Sequence, residues 1–531
     1  MPFRPGHEPL YALKLTLRVP ILTTILLNAL VTYGQPSLQW QKCLGGSGLD
    51  ETSCVKLTSD GGYIVAGSTY STDGDVSGQH GGRDAWVLKL DGGGTIQWQT
   101  CFGGTDGDRA VSIEQASDGG YVMAGSTEST NGDVNGNHGT WDAWIVKLDD
   151  AGALQWQQCL GGSFADHAYS IQQTGDGGYI VAGSSESNDG DVNGNHGAKD
   201  VWAVKLNGSG SLQWQSCLGG TGVDWALSIS QSSDGGYIMA GGTESNDGQV
   251  NGNHDGDDAW VVKLDGGGTL QWQKCLGGSS SDRTASIQQT GDGGFIAAGY
   301  TGSNDGDVNG NHGISDVWVL KLDGGGSLQW QKCLGGSGGE WAASIQHTSD
   351  GGYVLAGSTY SNDGNASGNH GLSDIWALKL NSDGTLQWQK CLGGSGYDYG
   401  ASIQLTGDSG YIVTGYTESN DGDISGNHGG NDAWVVKLGP DEVGIAETDP
   451  ARFSVAPNPT SELLSIGLAP STQPQQVKLL DPSGRTVIER SLTLSAGGFI
   501  TLDLGGYESG FYLVQVWFAD GTSATRRVVK E

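Results

Sequence analysis

The chain contains seven copies of one segment, each 58 residues long. A tryptophan, a cysteine and a histidine each recur seven times at this spacing. The tryptophans are Trp40, Trp98, Trp156, Trp214, Trp272, Trp330 and Trp388, and the cysteines are Cys43, Cys101, Cys159, Cys217, Cys275, Cys333 and Cys391. A strict period of this length over seven copies is typical of repeat architectures, in which every copy forms the same small unit.

One repeat contains four short strands. In the third copy, the runs AYSIQQT (168–174), YIVAGSS (179–185), VWAVKL (201–206) and LQWQSCL (212–218) are separated by clusters of Gly, Asp and Asn. Runs of β-branched and aromatic residues between such turn residues indicate antiparallel strands. Because four such strands make one blade of a β-propeller, we predict an all-β, seven-bladed propeller over residues 35–438.

The two ends of the repeated region complement each other. The repeats begin with a fourth-type strand, SLQWQKCLGG (37–46), and the last repeat stops after its third strand (432–438). If these two strands pair, all seven blades are complete and no sheet edge is left open to aggregate. The N-terminal strand is therefore predicted to close the last blade.

The first 34 residues have a different character. Arg4, Lys14 and Arg18 precede an apolar run, VPILTTILLNALVTYG (19–34). This pattern is typical of a secretory signal peptide with cleavage before Gln35. A retained anchor fits less well, since the run is short for a membrane span. We expect an exported protein with no membrane insertion after cleavage.

The charge and the cysteines narrow the functions of an exported chain. A formal net charge of −33 would repel nucleic acid and anionic membrane surfaces, and it suits cation binding or simple solubility.

Seven of the eight cysteines occupy the same place in seven repeats, so ring symmetry separates them. We interpret them as small buried apolar residues, not as disulfide partners.

One position breaks the sevenfold symmetry. Each repeat carries a GGSxxD-type segment on the face that also holds the long loops, and its acid is predicted to lie beside the central channel. The acids are Asp50, Asp108, Asp166, Asp224, Asp282, Glu340 and Asp398. The residue after the acid varies, and six of these residues are predicted to bind a ligand: Arg109, His167, Trp225, Arg283, Trp341 and Tyr399. Aromatic and Arg side chains supply much of the binding energy at recognition surfaces. The alternative is that the sequence of an exposed loop varies under relaxed constraint.

The long loops resemble calcium-binding loops in their spacing. They place oxygen-bearing side chains at positions one, three, five and twelve, with Gly at position six, as calcium loops do. The candidate ligands are Asp73, Asp75, Asp84, Asp189, Asp191, Asn193, Asp200, Asp305, Asp307, Asn309, Asp316, Asp421, Asp423 and Asp432. Asp, Asn and Gly also form turns without metal, and His occupies position eight. Metal-free turns therefore stay open as the alternative. A transition metal on the histidines is disfavoured, because seven histidines spread around a ring cannot share one ion.

Beyond an acidic linker (439–451), the repeat gives way to another domain (452–531). Its marks are Pro457-Asn458-Pro459, Leu479 to Asp481, Gly484-Arg485, Leu504, Gly510, Tyr512 and the basic end Arg526 to Lys530. These residues resemble a type A sorting domain of the type IX secretion system. The resemblance implies an immunoglobulin-like sandwich, translocation across the outer membrane by the secretion machinery, and removal of this domain during secretion or surface attachment. A generic binding sandwich is the alternative.

Two classes of function remain for the propeller, which resembles the Gly/Asp/Trp-rich repeats often found ahead of such sorting domains. A non-enzymatic binding protein for a glycan or a protein fits a chain that is nearly sevenfold symmetric. A polysaccharide-cleaving glycosidase or lyase would use channel-mouth carboxylates, with Asp166-His167 and Asp108-Arg109 as the best pairs. A purely structural surface layer is a third possibility. We assign no catalytic residue and no cofactor other than calcium.

Overall fold

The computed structural model describes residues 31–445, 452–469, 473–481, 485–492, 498–520 and 522–530. Within these ranges every regular element is a β-strand, and no helix there is long and apolar enough to span a bilayer. Contacts separate a unit at Tyr33–Val443 from a C-terminal unit that begins at Gly444. Residues 1–30 of the predicted signal peptide and 446–451 of the predicted linker lie outside the described residues.

The larger unit is a ring of four-stranded antiparallel sheets. Two strands precede the first complete sheet: β1 (Val31–Gly34) and β2 (Leu38–Leu44). Blade 1 comprises β3 (Asp50–Leu57), β4 (Tyr63–Thr69), β5 (Asp84–Leu90) and β6 (Ile96–Phe102). Blade 2 comprises β7 (Asp108–Gln115), β8 (Tyr121–Thr127), β9 (Asp142–Leu148) and β10 (Leu154–Leu160). Blade 3 comprises β11 (Asp166–Gln173), β12 (Tyr179–Ser185), β13 (Asp200–Leu206) and β14 (Leu212–Leu218). Blade 4 comprises β15 (Asp224–Gln231), β16 (Tyr237–Thr243), β17 (Asp258–Leu264) and β18 (Leu270–Leu276).

The remaining blades repeat the pattern. Blade 5 comprises β19 (Asp282–Gln289), β20 (Phe295–Thr301), β21 (Asp316–Leu322) and β22 (Leu328–Leu334). Blade 6 comprises β23 (Glu340–His347), β24 (Tyr353–Thr359), β25 (Asp374–Leu380) and β26 (Leu386–Leu392). Blade 7 begins with β27 (Asp398–Leu405), β28 (Tyr411–Thr417) and β29 (Asp432–Leu438), and β30 (Glu442–Ile445) pairs with β1.

The N-terminal strand completes blade 7, which confirms the predicted closure. That sheet has the order β2-β29-β28-β27, and Cys43 of β2 stands opposite Trp434 of β29. The indole Nε1–H of Trp434 donates to Gln41 of β2 at 2.9 Å. Seven sheets of four strands therefore use every strand from β2 to β29, and the fold is the seven-bladed propeller that the repeat predicts.

Tryptophans hold the blades together at two depths. The third-strand tryptophans, such as Trp86, are fully buried. The fourth-strand tryptophans pack on the next blade, and all except the buried Trp388 are half-buried. Trp40 of blade 7 lies 6.0 Å from Tyr63 of blade 1, and its ring covers the α-carbon of Gly94. Gly94 has a positive φ of +80° and no room for a side chain, so the turn requires glycine there.

The cysteines are free thiols, as the ring symmetry indicates. Seven of the eight are buried and Cys333 is half-buried. Burial raises the pKa of the Cys43 and Cys217 thiols to about 12, so both stay protonated at neutral pH. They serve as small core residues.

The C-terminal unit is a β-sandwich of two sheets. Its strands are β31 (Phe453–Ala456), β32 (Leu463–Leu468), β33 (Pro474–Leu480), β34 (Thr486–Ser491), β35 (Phe499–Asp503), β36 (Gly510–Phe518) and β37 (Ser523–Lys530). The sheet orders are β31-β32-β35 and β34-β33-β36-β37, and side chains such as Leu464 and Val514 form one core between them. The Asn458 side chain bonds the backbone of Arg527 and Val529, which ties the Pro-Asn-Pro segment to the basic end. Gly484 of the sorting motif lies outside the described residues.

Candidate binding face

The first strand of each blade lines the central channel, and its first two residues point in opposite directions. Successive side chains on a strand face opposite sides. The acid therefore turns into the blade, where all seven acids are fully buried, while the variable residue after it stays half-exposed.

The acids have hydrogen-bond partners within the blades, which does not favour the alternative in which they act as channel-mouth carboxylates of an enzyme. Asp108 accepts hydrogen bonds from the Thr127 hydroxyl, from the Ser129 hydroxyl at 2.8 Å and from the Gly104 N–H at 2.8 Å. Burial raises the pKa of Asp108, and these bonds oppose that rise. Asp166 has the equivalent partners, so both carboxylates of the predicted catalytic pairs are already engaged.

The structure brings the six predicted ligand residues together in pairs, each across neighbouring blades. An Arg109 guanidinium nitrogen lies 3.4 Å from Nδ1 of His167. The Arg283 guanidinium stacks 4.7 Å from the Trp225 ring and pairs with Asp257. Trp341 stacks on Tyr399 with ring centroids 5.8 Å apart. The variable positions thus form three contacting groups around the channel mouth.

An aromatic cleft opens between blades 6, 7 and 1. Its volume is about 590 Å³, and its lining residues are Glu51, Thr52, Ser53, Trp341, Ala343, Tyr399, Gly400, Ala401 and Tyr416. Ser53, Ala343 and Ala401 of this lining are small. The equivalent position is also small in blade 5, where it is Ala285, but holds Val111, Tyr169 and Leu227 in blades 2, 3 and 4. The cleft therefore lies on the side of the channel where this position is small.

Sequence reasoning missed three tyrosines of this cluster. Tyr416 lies 5.0 Å from Tyr399, Tyr397 stacks on Tyr399 at 6.0 Å, and Tyr360 lies 5.5 Å from Trp341. Tyr416 stands where four of the other six repeats have Ser. This departure from the repeat is a signal that could have found it.

A second cavity, of about 320 Å³, lies between blades 3, 4 and 5. Its lining residues are Tyr169, Ser184, Lys199, Val223, Trp225, Glu244 and Arg283. Both of its cations have partners, because Lys199 pairs with Glu186 at 3.0 Å and Arg283 pairs with Asp257.

The long loops use their acids for hydrogen bonds within the protein. In the third loop, Asp189 accepts from the Ser163 N–H at 2.7 Å, and Asp191 accepts a longer bond from the same segment. The twelfth-position Asp200 is fully buried and bonds to the backbone N–H and the imidazole of His196. Among the residues that the structure describes, no three His, Cys, Asp or Glu side chains form a group that could hold a metal ion. Calcium binding stays a prediction.

The calcium hypothesis predicts a lower melting temperature in chelator, because a ligand that binds only the folded state stabilises it by about 2.7 kcal/mol at a hundredfold excess over Kd. The three-acid first, third, fifth and seventh loops should bind more tightly than the others. Differential scanning calorimetry with EDTA, followed by elemental analysis, measures both effects. An unchanged melting temperature without bound calcium would leave the loops as turns.

Comparison with known proteins identifies the C-terminal unit. Residues 454–531 match the family described as the secretion system C-terminal sorting domain, which confirms the sorting-domain prediction. The protein is therefore secreted or placed at the cell surface by the type IX system. One curated relative, the regulatory protein FlaEY of Caulobacter vibrioides, is 29% identical over 136 residues, which are 24% of this chain and 14% of the relative.

Three solved structures show distant similarity. PorZ of Porphyromonas gingivalis, a surface component of the type IX secretion system, has a TM-score of 0.38 and 11% identity, over 89% of this chain and 58% of PorZ. BamB of Moraxella catarrhalis has a TM-score of 0.33 and 14% identity, over 93% and 100% of the two chains. The Pan2 WD40 domain of Neurospora crassa has a TM-score of 0.40 and 11% identity, over 77% and 98%. At these scores the similarity carries no functional argument.

Proposed function

We propose that this secreted propeller is a non-enzymatic binding protein that recognises a glycan at the mouth of its channel. The observation that carries the proposal is the aromatic cleft of about 590 Å³. Its size falls in the range of small-molecule sites, and such sites combine apolar walls with a few placed polar groups. Here Trp341, Tyr399 and Tyr416 supply the walls, and the Glu51 carboxylate supplies an acceptor.

The chemistry of the cleft favours a sugar over a flat apolar ligand. Tyrosine and tryptophan rings present large apolar faces together with a polar edge, which suits the mixed apolar and hydroxyl surfaces of a pyranose. The Tyr399 hydroxyl lies 2.7 Å from the Tyr360 hydroxyl, so the cluster is held in place before a ligand arrives. A rigid site loses less conformational entropy on binding.

The buried acids argue against the enzymatic alternative. A glycosidase needs two carboxyl groups that flank the scissile bond and reach its atoms. The first-strand acids of all seven blades are fully buried instead. Glu51 reaches the aromatic cleft, and no second carboxylate of the described residues lines that cleft.

Changing Trp341 or Tyr399 to Ala should in each case weaken glycan binding about five- to thirtyfold, because a ring stacked on a ligand contributes about 1–2 kcal/mol. A glycan array would identify a ligand for the secreted protein, and calorimetry would then measure its affinity for the variants. Phe164→Ala is the matched control, since it removes a propeller ring that is 59% exposed and lines neither the aromatic cleft nor the second cavity. Full binding by the double variant would place the site elsewhere.

A further inference from the structure

The loop-rich face carries two arginines without acidic partners. Arg83 precedes β5 in blade 1, and Arg109 is the second residue of β7 in blade 2. The Nε atoms of both are buried and have no hydrogen-bond partner, and no carboxylate of the described residues lies within 4.0 Å of either guanidinium. In this they differ from Arg283 and Lys199, whose charges are paired.

Aromatic rings and a histidine surround Arg109. Its guanidinium carbon lies 5.5 Å from the Trp141 ring and 5.8 Å from the Tyr169 ring. The His167 Nδ1 lies 3.4 Å from the guanidinium and 3.0 Å from the Ser126 hydroxyl. Each cation–π contact offsets about 0.5–2 kcal/mol of the free-energy cost of burying the guanidinium. These contacts supply no negative charge.

A second cation acts on Arg109. Burial lowers the pKa of the Arg109 guanidinium and Arg83 lowers it further, whereas Tyr169 raises it. Burial together with the charges of Arg109 and Lys199 lowers the pKa of His167 to about 3, so the imidazole is neutral at neutral pH. Glu128, the acid beside Trp141 over Gly107, pairs with neither arginine. A half-buried cation without a counter-ion is costly in a free protein, and a bound anion would relieve that cost.

We infer that Arg83 and Arg109 form an oxyanion subsite, which takes a carboxylate or sulfate group of the glycan recognised at the channel mouth. This inference rests on the proposed function, because the sugar identity of the ligand comes from the aromatic cleft. Arginine suits the role, since its planar fork of N–H donors matches both groups.

The overall charge limits how many anionic groups the glycan carries. A net charge of −33 repels a densely charged polymer. A single anionic group feels mainly its nearest neighbours, because the screening length is about 8 Å at physiological ionic strength. The ligand is therefore a glycan with isolated anionic groups, such as one terminal uronic acid or one sulfate.

Calorimetry on the secreted protein tests the subsite with matched probes. The probes are a neutral galactotetraose, the same sugar with one terminal uronic acid, the same sugar with one terminal sulfate, and a decaglutamate peptide. At least one charged sugar should bind ten- to a hundredfold more tightly than the neutral sugar, as expected for charge-assisted hydrogen bonds. The preferred charged sugar distinguishes carboxylate from sulfate.

Two variants and a control decide which residues act. Arg109→Gln and Arg83→Gln should each reduce the preference for the charged sugar at least tenfold, while affinity for the neutral sugar stays unchanged. Lys199→Gln should leave the preference intact, since that ammonium is already paired with Glu186. The melting temperature of unliganded Arg109→Gln should equal or exceed that of the parent protein, which a structural arginine would not allow.

Each other outcome overturns a different statement. Equal affinity for charged and neutral sugars would overturn the oxyanion subsite and leave the proposed function standing. Failure of every sugar to bind would overturn the proposed function itself. Tighter binding of decaglutamate than of either charged sugar would replace the glycan by an acidic peptide.

Discussion

Deletion of residues 37–45 is expected to turn the soluble ring into an aggregating protein. Strand β2 supplies the fourth strand of blade 7, and it buries Cys43 and Leu44 at the junction with its neighbours. Without it, β29 becomes an open edge and Trp434 loses its hydrogen bond to Gln41. We expect a loss above about 5 kcal/mol, which rivals the whole stability of a typical domain, and an exposed edge that pairs with other chains.

Size-exclusion chromatography and thermal unfolding would measure both effects. The matched control is a permuted chain in which residues 35–46 follow β29 through a five-residue turn copied from residues 91–95. That turn joins the third and fourth strands of blade 1. The permuted chain should be soluble and as stable as the parent. A soluble, equally stable deletion variant would contradict the closure of the ring by β2.

The strands and the ring closure could be predicted because they depend on local, repeated signals. Each turn carries Gly, Asp or Asn, and each strand is a short run rich in β-branched and aromatic residues, so the assignment of strands in one repeat applies to the other six. Closure followed from the two incomplete ends of the repeated region, 37–46 and 432–438. Both features need only the order of strands, and order is readable in a sequence.

The shape of the binding face could not be predicted, because it depends on strand register. In each blade the pairing of the first two strands shifts by one residue, for example between Ala110 and Ser112. This bulge leaves the intervening residue, Val111 in blade 2, unpaired on the channel side. In blades 6 and 7 the same place holds Ala343 and Ala401, which line the aromatic cleft. Neither the bulge nor the cleft is visible from residue spacing.

For the acids that begin the first strands, the sequence predicts the position in the strand but not the direction of the side chain. Asp108 and its equivalents do begin the channel-lining strands, as the GGSxxD segments predict. Their direction was missed, since a buried acid needs several donors, and only the Gly104 N–H belongs to the same segment as Asp108. The other donors come from the following strand and loop. The Thr127 and Ser129 hydroxyls lie 19 and 21 residues further on. A spacing argument within one segment does not reveal such partners.

Removing residues 452–531 is expected to leave the propeller folded but to strand it in the periplasm. The sandwich has its own hydrophobic core, with residues from both of its sheets, and the propeller clusters contain none of them. The melting temperature of the propeller should therefore stay within about 3 °C of that of the full chain, since a change of 1 kcal/mol or less shifts a large domain by only a few degrees. Cell fractionation and immunoblotting would show the truncated protein in the periplasmic fraction.

The matched control reverses the experiment. Residues 439–531 fused to a periplasmic reporter should carry that reporter to the surface or the medium, because the sorting signal lies in the matched segment 454–531. Asn458→Ala removes the two hydrogen bonds of 2.9 Å between the Pro-Asn-Pro segment and the basic end. This substitution should lower the amount of protein at the surface. Truncated protein that reached the cell surface in normal amounts would contradict the role of the sandwich as the export signal, since the propeller alone would then contain one.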